Sequence, residues 1–314
     1  MKASFKTLLF LLTLIILSQC RKDEPVINIP DDNFLNALIE QGVDTNGDGI
    51  ISPEEAEVIT NLNVSGDSIA DMTGIEAFIN LDTLNCEDNQ LTSLDLSNNT
   101  SLTRLNCREN QLTTLDVTNN IALKNLWCQK NDLTSLDVSN NTSLTRLNCS
   151  KNQLTSLDVS NNTFLKDLNC SRNQLTSLDV SNNTMLEILW CSDCELSNLD
   201  ISNNTGLRYL LVYSNQLTIL DLLNNTDLGT LNCENNQLTS LDVSNNSKLY
   251  YIHCSSNLFT SIDISNNTSL LGINLDNMPT LFKVCVWETP FPPKEVTYVT
   301  TFGSPNVYFT TDCN

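Results

Sequence analysis

Twelve residues near the start of the sequence carry oxygen atoms at the spacing of a cation-binding loop. In the stretch Asp44–Glu55, oxygen-bearing side chains occupy positions 1, 3, 5 and 9, glycine occupies position 6, and glutamate occupies position 12. Calcium takes about six to eight oxygen ligands, and the glycine permits the sharp turn that gathers them. The alternative is a turn that binds no metal. The predicted calcium ligands are the main-chain carbonyl of Ile50 and the side chains of Asp44, Asn46, Asp48, Ser52 and Glu55.

The loop lies between two segments with helical features. Apolar residues recur at helical spacing from Phe34 to Ile39, and Asp31 and Asp32 precede them as caps. After the loop, Pro53 suits the first turn of a second helix. The combination resembles the EF-hand, which implies a structural calcium ion held between two helices. We therefore predict an N-terminal cap over residues 30–58.

A strict repeat follows this cap. Asparagine recurs every 21 residues, and Cys194 takes the one vacant place in the series Asn89, Asn110, Asn131, Asn152, Asn173, Asn215, Asn236 and Asn257. A constant period of this length is typical of a solenoid, in which each coil contacts only its neighbours. The repeat region is predicted to span residues 59–278, and its first unit is irregular.

Within each unit the order Leu-x-x-Leu-x-Cys-x-x-Asn, as at Leu165, Leu168, Cys170 and Asn173, resembles the leucine-rich repeats of internalin-like proteins. The resemblance implies parallel-strand coils that bury the leucines and the cysteine. The asparagine is expected to turn inward and satisfy backbone groups of neighbouring coils. Because 21 residues leave no room for a full convex helix, we predict β-dominated coils with a second short strand-like segment, as at Leu154–Val159.

The cysteines form a column that could suggest disulfides or a soft-metal site. Val64, Val212 and Leu275 fill equivalent positions, so the place requires a modest apolar side chain and not a thiol. In-register strands also hold Cβ atoms about 4.8 Å apart, beyond the usual reach of a disulfide. We therefore predict reduced, buried thiols at Cys86, Cys107, Cys128, Cys149, Cys170, Cys191, Cys233 and Cys254.

Aspartates form a second column, two residues before each turn. Like charges at this spacing repel by roughly 1 kcal/mol per neighbour in water, so something must offset the repulsion. We expect each carboxylate to cap backbone amides of the turn while facing solvent; the alternative is weak cation binding along the column. Its members are Asp95, Asp116, Asp137, Asp158, Asp179, Asp200, Asp221, Asp242 and Asp263.

The first 19 residues have the layout of a secretory signal, with lysines before an apolar run. The run ends in Leu17-Ser18-Gln19-Cys20, which resembles the lipobox of bacterial lipoproteins and implies lipidation of Cys20. An ordinary cleaved signal is the alternative, because Gln19 stands where that motif usually has a small residue. Lys22-Asp23-Glu24 resembles the signal that sends some lipoproteins to the outer face of the outer membrane. Residues 20–29 would then be the lipidated cysteine and a tether, and without lipidation the protein would be secreted.

The period of 21 residues stops after Met278. Aromatic residues and prolines in residues 279–314 supply enough apolar surface for a non-repeat C-terminal cap. Cys285 and Cys313 lie outside the cysteine column and in an exported segment, so we predict a disulfide between them.

Function is predicted from the side chains that point out of the concave strand surface. Asparagine is the background there, so the departures from it mark an interface for a protein or glycan ligand. The formal net charge of -21 argues against nucleic acid or an anionic membrane surface as partner. The predicted ligand-binding residues are Trp127, Trp190, Tyr209, Leu211, Tyr213, Tyr251 and His253.

No nucleophile elbow, phosphate loop or histidine-based metal set is present in the sequence. We therefore predict a non-enzymatic, monomeric adhesion module that binds protein at the cell surface, as the resemblance to internalin-like proteins implies. The alternatives are a glycan-binding surface lipoprotein and a structural spacer in the cell envelope.

Overall fold

The computed structural model describes residues 26–313. The predicted signal peptide, Cys20 and most of the predicted tether lie outside the described residues. Within the described part, no helix is both long enough and apolar enough to cross a bilayer.

Twelve three-residue strands form one parallel sheet in chain order, with neighbouring regular strands in register at an offset of 21 residues. Each strand belongs to a separate coil, which confirms the predicted solenoid. The strands are β1 (Asn61–Asn63), β2 (Thr83–Asn85), β3 (Arg104–Asn106), β4 (Asn125–Trp127), β5 (Arg146–Asn148), β6 (Asp167–Asn169), β7 (Ile188–Trp190), β8 (Tyr209–Leu211), β9 (Thr230–Asn232), β10 (Tyr251–His253), β12 (Gly272–Asn274) and β14 (Tyr298–Thr300).

A second parallel sheet of three strands lies at the C-terminal end of the array. Its strands are β11 (Ser261–Asp263), β13 (Lys283–Cys285) and β15 (Tyr308–Thr310). The sequence predicted a second strand-like segment in every coil, and this prediction is wrong for the regular coils. There the Leu154–Val159 segment and its equivalents are extended but form no strand ladder.

Two short helices and a turn of 3-10 helix precede the regular coils. Helix α1 spans Asp32–Glu40, helix α2 spans Pro53–Glu57, and the 3-10 turn spans Ile75–Ala77. Asp31 caps α1 through one carboxylate oxygen, which accepts hydrogen bonds from Asn33 N and Phe34 N. Its other oxygen accepts from the backbone amides of Ala70 and Asp71 at 2.8 and 3.0 Å. One carboxylate therefore starts the helix and ties it to the first coil.

The core is a stack of leucine columns with the cysteine column between them. All eight cysteines of the column are fully buried free thiols, as predicted. Burial raises the pKa of the Cys107 thiol to about 12, because an apolar interior disfavours the thiolate. These thiols act as small apolar side chains.

The inward asparagine bridges neighbouring coils, as predicted. Asn173 Nδ2 donates to Cys149 O at 3.1 Å and to Cys170 O at 2.8 Å, and its Oδ1 accepts from Leu154 N at 3.0 Å. Three buried backbone groups that lack a partner in the sheet are thereby paired by one side chain.

Asparagine also stabilises the opposite turn of each coil. Asn162 is fully buried, and its Nδ2 donates to Val138 O and Asn141 O, both at 2.9 Å. Just before this turn, Asp158 Oδ1 accepts from Ser160 N at 2.9 Å. Hydrogen bonds from Ser160 lower the pKa of Asp158, which favours its charged form. The predicted capping role of the aspartate column is confirmed.

Each coil contains one residue in the left-handed backbone region, directly before the inward asparagine. None of these residues is glycine: Ser68, Asp88, Glu109, Lys130, Lys151, Arg172, Asp193, Ser214, Asn235, Ser256 and Asn277 have φ between 50 and 59°. A non-glycine residue in this region costs about 1–2 kcal/mol, so the bonds of the adjacent asparagine must hold it there.

The tail adds coils as well as covering the array. Strand β14 pairs with β12 at an offset of 26 residues, as in Gly272↔Tyr298, and β15 pairs with β13 at an offset of 25, as in Lys283↔Tyr308. The 21-residue period ends near residue 278, but the coiling continues to residue 310 with longer connections.

The inward asparagine column has one natural exception, and it yields a test. Replacing Cys194 by asparagine is expected to raise the free energy of unfolding by about 1 kcal/mol. In the next coil Asn215 donates to Cys191 O and Val212 O and accepts from Leu196 N, whereas Cys194 Sγ makes only weak bonds at 3.5–3.6 Å to Ser192 O and Cys170 O. Urea unfolding followed by circular dichroism measures the change.

The reverse substitution, Asn173→Cys in the preceding coil, is the matched control and should lower stability by at least as much. If Cys194→Asn left the protein no more stable while Asn173→Cys destabilised it, the asparagine would not be the better residue at position 194.

Candidate functional site

The concave face is formed by the first and third residues of each strand, because the middle residue points into the core. In the register of the sheet, Trp190 lies beside Leu211, and Leu211 lies beside Asn232. Parallel pairing thus turns residues that are 21 apart in sequence into direct neighbours on one surface.

An aromatic patch covers the C-terminal half of this face. We define it as Trp190, Tyr209, Tyr250, Tyr251, His253 and Tyr298. The exposed fractions of Trp190, Tyr209, Tyr251 and Tyr298 are 39%, 39%, 37% and 40%, which are large for aromatic side chains on a folded domain.

The rings of the patch contact one another in a row. The centroids of Tyr251 and His253 are 6.4 Å apart, those of His253 and Tyr298 are 6.3 Å apart, and Tyr250 meets Tyr251 edge-on at 5.4 Å. Two glycines make room for them. A side chain at Gly229 would collide with the Tyr250 ring, and a side chain at Gly272 would crowd Tyr251 and Tyr298.

Two open cavities lie at the edges of the aromatic patch. One, of about 310 Å³, is lined by Arg208, Tyr209, Asp227, Gly229, Lys248 and Tyr250. A hydrogen bond with Tyr250 raises the pKa of Tyr209, so the two hydroxyls meet across this cavity. The second, of about 260 Å³, is lined by Ser150, Lys151, Asn169, Ser171, Arg172, Trp190, Leu211 and Tyr213. Polar tips and flat apolar walls in shallow cavities suit recognition more than catalysis.

The structure places the predicted ligand-binding residues in two groups. Trp190, Tyr209, Leu211, Tyr213, Tyr251 and His253 lie on β7, β8 and β10 or directly after β8, within or beside the aromatic patch. Trp127 lies apart on β4, half-buried and three strands from Trp190. Tyr250 and Tyr298 were not predicted. Tyr250 precedes its strand, and the longer last coil takes Tyr298 out of the 21-residue count.

The candidate calcium loop folds back over its first residue. The carboxylate of Asp44 accepts hydrogen bonds from the backbone amides of Gly47 at 2.7 Å and Gly49 at 2.9 Å. Gly49 has φ +81°, a conformation that requires glycine in this tight turn. The main-chain amides of Asp48 and Ile50 are bound by Asn46 and Asp48 side chains. The predicted ligands thus hold the loop's own amides.

Glu55 closes the loop from its far end. Its Oε1 accepts from Thr45 N and Oγ1, both at 2.8 Å, and its Oε2 accepts from Ser52 N and Oγ, both at 3.0 Å. These bonds, first of all the one from the Ser52 amide, lower the pKa of Glu55 to about 2. The carboxylate is therefore charged at any physiological pH.

The donor set of the loop fits calcium in chemistry, because every predicted ligand atom is oxygen and three of the side chains are carboxylates. Among the residues that the structure describes, the oxygens of Asp44, Asp48 and Glu55 are not all gathered within 4.8 Å of one another. Glu55 would have to exchange its bonds to Thr45 and Ser52 for the ion.

The two C-terminal cysteines, Cys285 and Cys313, are joined in a disulfide, the pairing expected from the sequence. Asp263 lies close to both sulfur atoms. Because the sulfurs are bonded to each other, they offer no thiolate to a metal. The bond links β13 of the second sheet to the end of the chain.

Comparisons with known proteins agree with this architecture. Residues 128–147 match the family model described as the LVIVD repeat. Internalin J of Listeria monocytogenes serotype 4b (strain F2365) is 45% identical over 75 residues, which is 23% of this chain and 8% of that protein. The solved functional domain of InlJ from Listeria monocytogenes, which includes a cysteine ladder, has a TM-score of 0.83 and 37% identity over 90% of this chain. A leucine-rich repeat protein of Leptospira interrogans shares the fold alone, with a TM-score of 0.66 and 22% identity over 83% of this chain and 74% of that one.

The chain spans less than two thirds of both internalin J relatives, 8% of the full protein and 63% of the solved domain. Within the aligned part, the buried cysteine column of this chain corresponds in kind to the cysteine ladder named for that domain. The chain is therefore an internalin J-like leucine-rich repeat protein, similar to internalin J in its solenoid fold and in its repeat sequence.

Proposed function

We propose that this chain is a non-enzymatic binding module that captures a protein ligand on its concave face. The observation that carries the proposal is the aromatic patch, where four rings are each more than one third exposed on a rigid sheet. Burying such rings removes a large apolar area from water at little cost in side-chain entropy, because a tyrosine or tryptophan has few rotatable bonds.

A protein ligand is favoured over a glycan by the variety of the surface. Leu211 lies beside Trp190, and tyrosine hydroxyls and charged groups line the adjoining cavity. The ring planes differ, from 28° between Tyr251 and His253 to 73° between Tyr250 and Tyr251. Stacking on sugar rings requires open, flat ring faces, whereas a protein side chain also fits between rings held at an angle.

We place this module at the cell surface, where it is held through lipid on Cys20. The lipobox-like Leu17-Ser18-Gln19-Cys20 and the following Lys22-Asp23-Glu24 support this location. About ten coils would then present the concave face on a stalk formed by the preceding charged residues.

The double variant Trp190→Ala, Tyr209→Ala is expected to weaken ligand binding by about a hundredfold, because two ring contacts of about 1–2 kcal/mol each would be lost. Peptides selected by phage display against the immobilised wild-type protein, together with a glycan array, supply the ligands. Biolayer interferometry then compares the affinities of both proteins.

The control is Phe164→Ala, Met185→Ala on the opposite side of the coils, where both side chains are exposed. It should leave affinity unchanged. Enrichment of glycans without peptides, or equal affinity of the aromatic double variant and wild type, would contradict the proposed protein-binding site.

We also propose that the Asp44–Glu55 loop binds one structural calcium ion. Asp44, Asn46, Asp48, Ser52, Glu55 and the Ile50 carbonyl would hold it, and the bound ion would neutralise carboxylates that otherwise repel. Supporting this, Glu55 is buried and already charged, so protons do not compete for it above about pH 2. Because Asp31 ties the cap to the first coil, an ion in the loop would stabilise that end of the solenoid.

Asp48→Asn is expected to weaken calcium binding by about tenfold or more, because affinity follows the charge of the ligand set. The amide oxygen can keep the bond from Ile50 N, so the loop itself should persist. Isothermal titration calorimetry of the wild type should show one equivalent of heat and a flat trace beyond it.

Asp116→Asn makes the same carboxylate-to-amide change in the aspartate column and should leave that single equivalent intact. Heat beyond one equivalent that disappears in Asp116→Asn would instead indicate cation binding along the column. No heat at all in the wild type would refute the calcium proposal.

A further inference from the structure

Basic residues are concentrated on one part of the concave face, although the chain as a whole is acidic. Residues 26–313 contain 12 Lys and Arg against 35 Asp and Glu. Eight of the 12 lie in the strand halves of four consecutive coils, residues 102–111, 123–132, 144–153 and 165–174, which carry β3 to β6. We call this surface the basic strip.

The charge of the basic strip differs in sign from its surroundings. Its four strand halves hold eight basic and three acidic residues, a net of +5, whereas the other halves of the same coils, within 112–185, hold four aspartates and no basic residue. The strand halves on either side, 81–90 and 186–195, hold three acidic residues each and no basic one. The strip is therefore bounded on every side by negative charge.

Half of these cations are held by acidic neighbours. Lys130 pairs with Glu109 at 2.7 Å, and ion pairs at the two ends join Arg108 to Glu87, Lys166 to Glu187 and Arg172 to Asp193. Exposed ion pairs of this kind contribute little to stability, but they fix the position of the side chains.

The other half are exposed and have no ion pair or side-chain hydrogen bond among the described residues: Arg104, Lys124, Arg146 and Lys151. Arg104 and Arg146 lie in the same column with Asn125 between them in register. Trp127, on the same strand as Asn125, lies between Asn106 and Asn148 and is half-buried. The unpaired cations thus surround one tryptophan.

We propose that the basic strip receives a short acidic segment of the partner protein, with Trp127 contacting an apolar side chain of that segment. This inference rests on the proposed function, since it specifies the chemistry of a ligand on the same concave face. Strands β3 to β6 span about 14 Å at a spacing of about 4.8 Å, so an extended segment of roughly four or five residues crosses the strip.

The boundaries of the strip favour such a segment over a long polyanion. Nucleic acid or an anionic polysaccharide carries charge along its whole length and would run over Glu87 and Asp88 at one end and Glu187 and Asp193 at the other. A short acidic segment ends before these carboxylates, and uncharged residues on either side of it meet no penalty. The aromatic patch begins directly beyond, at Trp190, and would bind the apolar part of the same partner.

The probe for this proposal is a fluorescein-labelled hexapeptide of alternating Asp and Glu, and its binding is measured by fluorescence anisotropy at low and at physiological ionic strength. The wild type should bind it saturably and more weakly as salt is added. Arg104→Gln, Arg146→Gln should reduce affinity about tenfold, because two unpaired cations are removed. Arg104→Lys, Arg146→Lys should keep most of the affinity.

The matched control is Thr113→Glu, Thr155→Glu, which changes net charge by the same two units on the opposite, exposed side of the same coils. It should leave affinity within about twofold, since charges more than a Debye length away are screened. Equal loss in the glutamine and glutamate variants, or no saturable binding at low salt, would overturn the proposal.

Two further arms separate this inference from the proposed function. A heparin-derived hexasaccharide that binds more tightly than the peptide, and loses affinity in Arg104→Gln, Arg146→Gln, would refute a protein segment as the occupant. Trp190→Ala, Tyr209→Ala should leave hexapeptide binding intact. Display-selected ligands that depend on Trp190 and Tyr209 but not on the arginines would leave the proposed function standing and the acidic-segment inference refuted.

Discussion

The structure depends on one asparagine in each coil that pairs buried backbone groups of its own coil and of the coil before it. A coil of 21 residues turns too tightly for the sheet to satisfy its corner, and an unpaired buried carbonyl costs about 1–3 kcal/mol. Asn173 meets three such groups at once, so it joins local turn geometry to the stacking of coils. The same bonds hold the preceding residue, Arg172, in the left-handed region without glycine.

This arrangement leaves most of the surface free to vary. The leucines, cysteines and asparagines that hold the coil point inward, so the outward residues of a strand are under little structural constraint. Substitutions there created a basic strip on four coils and an aromatic patch on the following ones without altering the backbone register. The aspartate column shows the opposite case, since its repeated charge is tolerated because each carboxylate binds a turn amide such as that of Ser160.

Much of this architecture could be predicted from the sequence, because each column repeats the same physical solution. The buried thiols, the inward asparagines and the capping aspartates each follow from residue type and period. Other features could not be predicted. A strand requires a partner at bonding distance, which residues such as Leu154–Val159 do not reveal. The left-handed column carries lysine and arginine where local preference favours glycine. Tyr298 joins the aromatic patch through a 26-residue coil, and total charge conceals how the cations are distributed.

The in-register stacking has a consequence for how this binding face could change with time. Each coil advances the sheet by one strand spacing, about 4.8 Å, and carries its own complete set of internal bonds. Duplication or loss of one unit between Trp127 and Trp190 would therefore move two recognition elements apart or together in fixed increments while leaving each intact. Insertion of whole units sets the distance along the array, and substitution within a unit sets the chemistry, so a lineage of such proteins can fit partners of different lengths without redesigning the core.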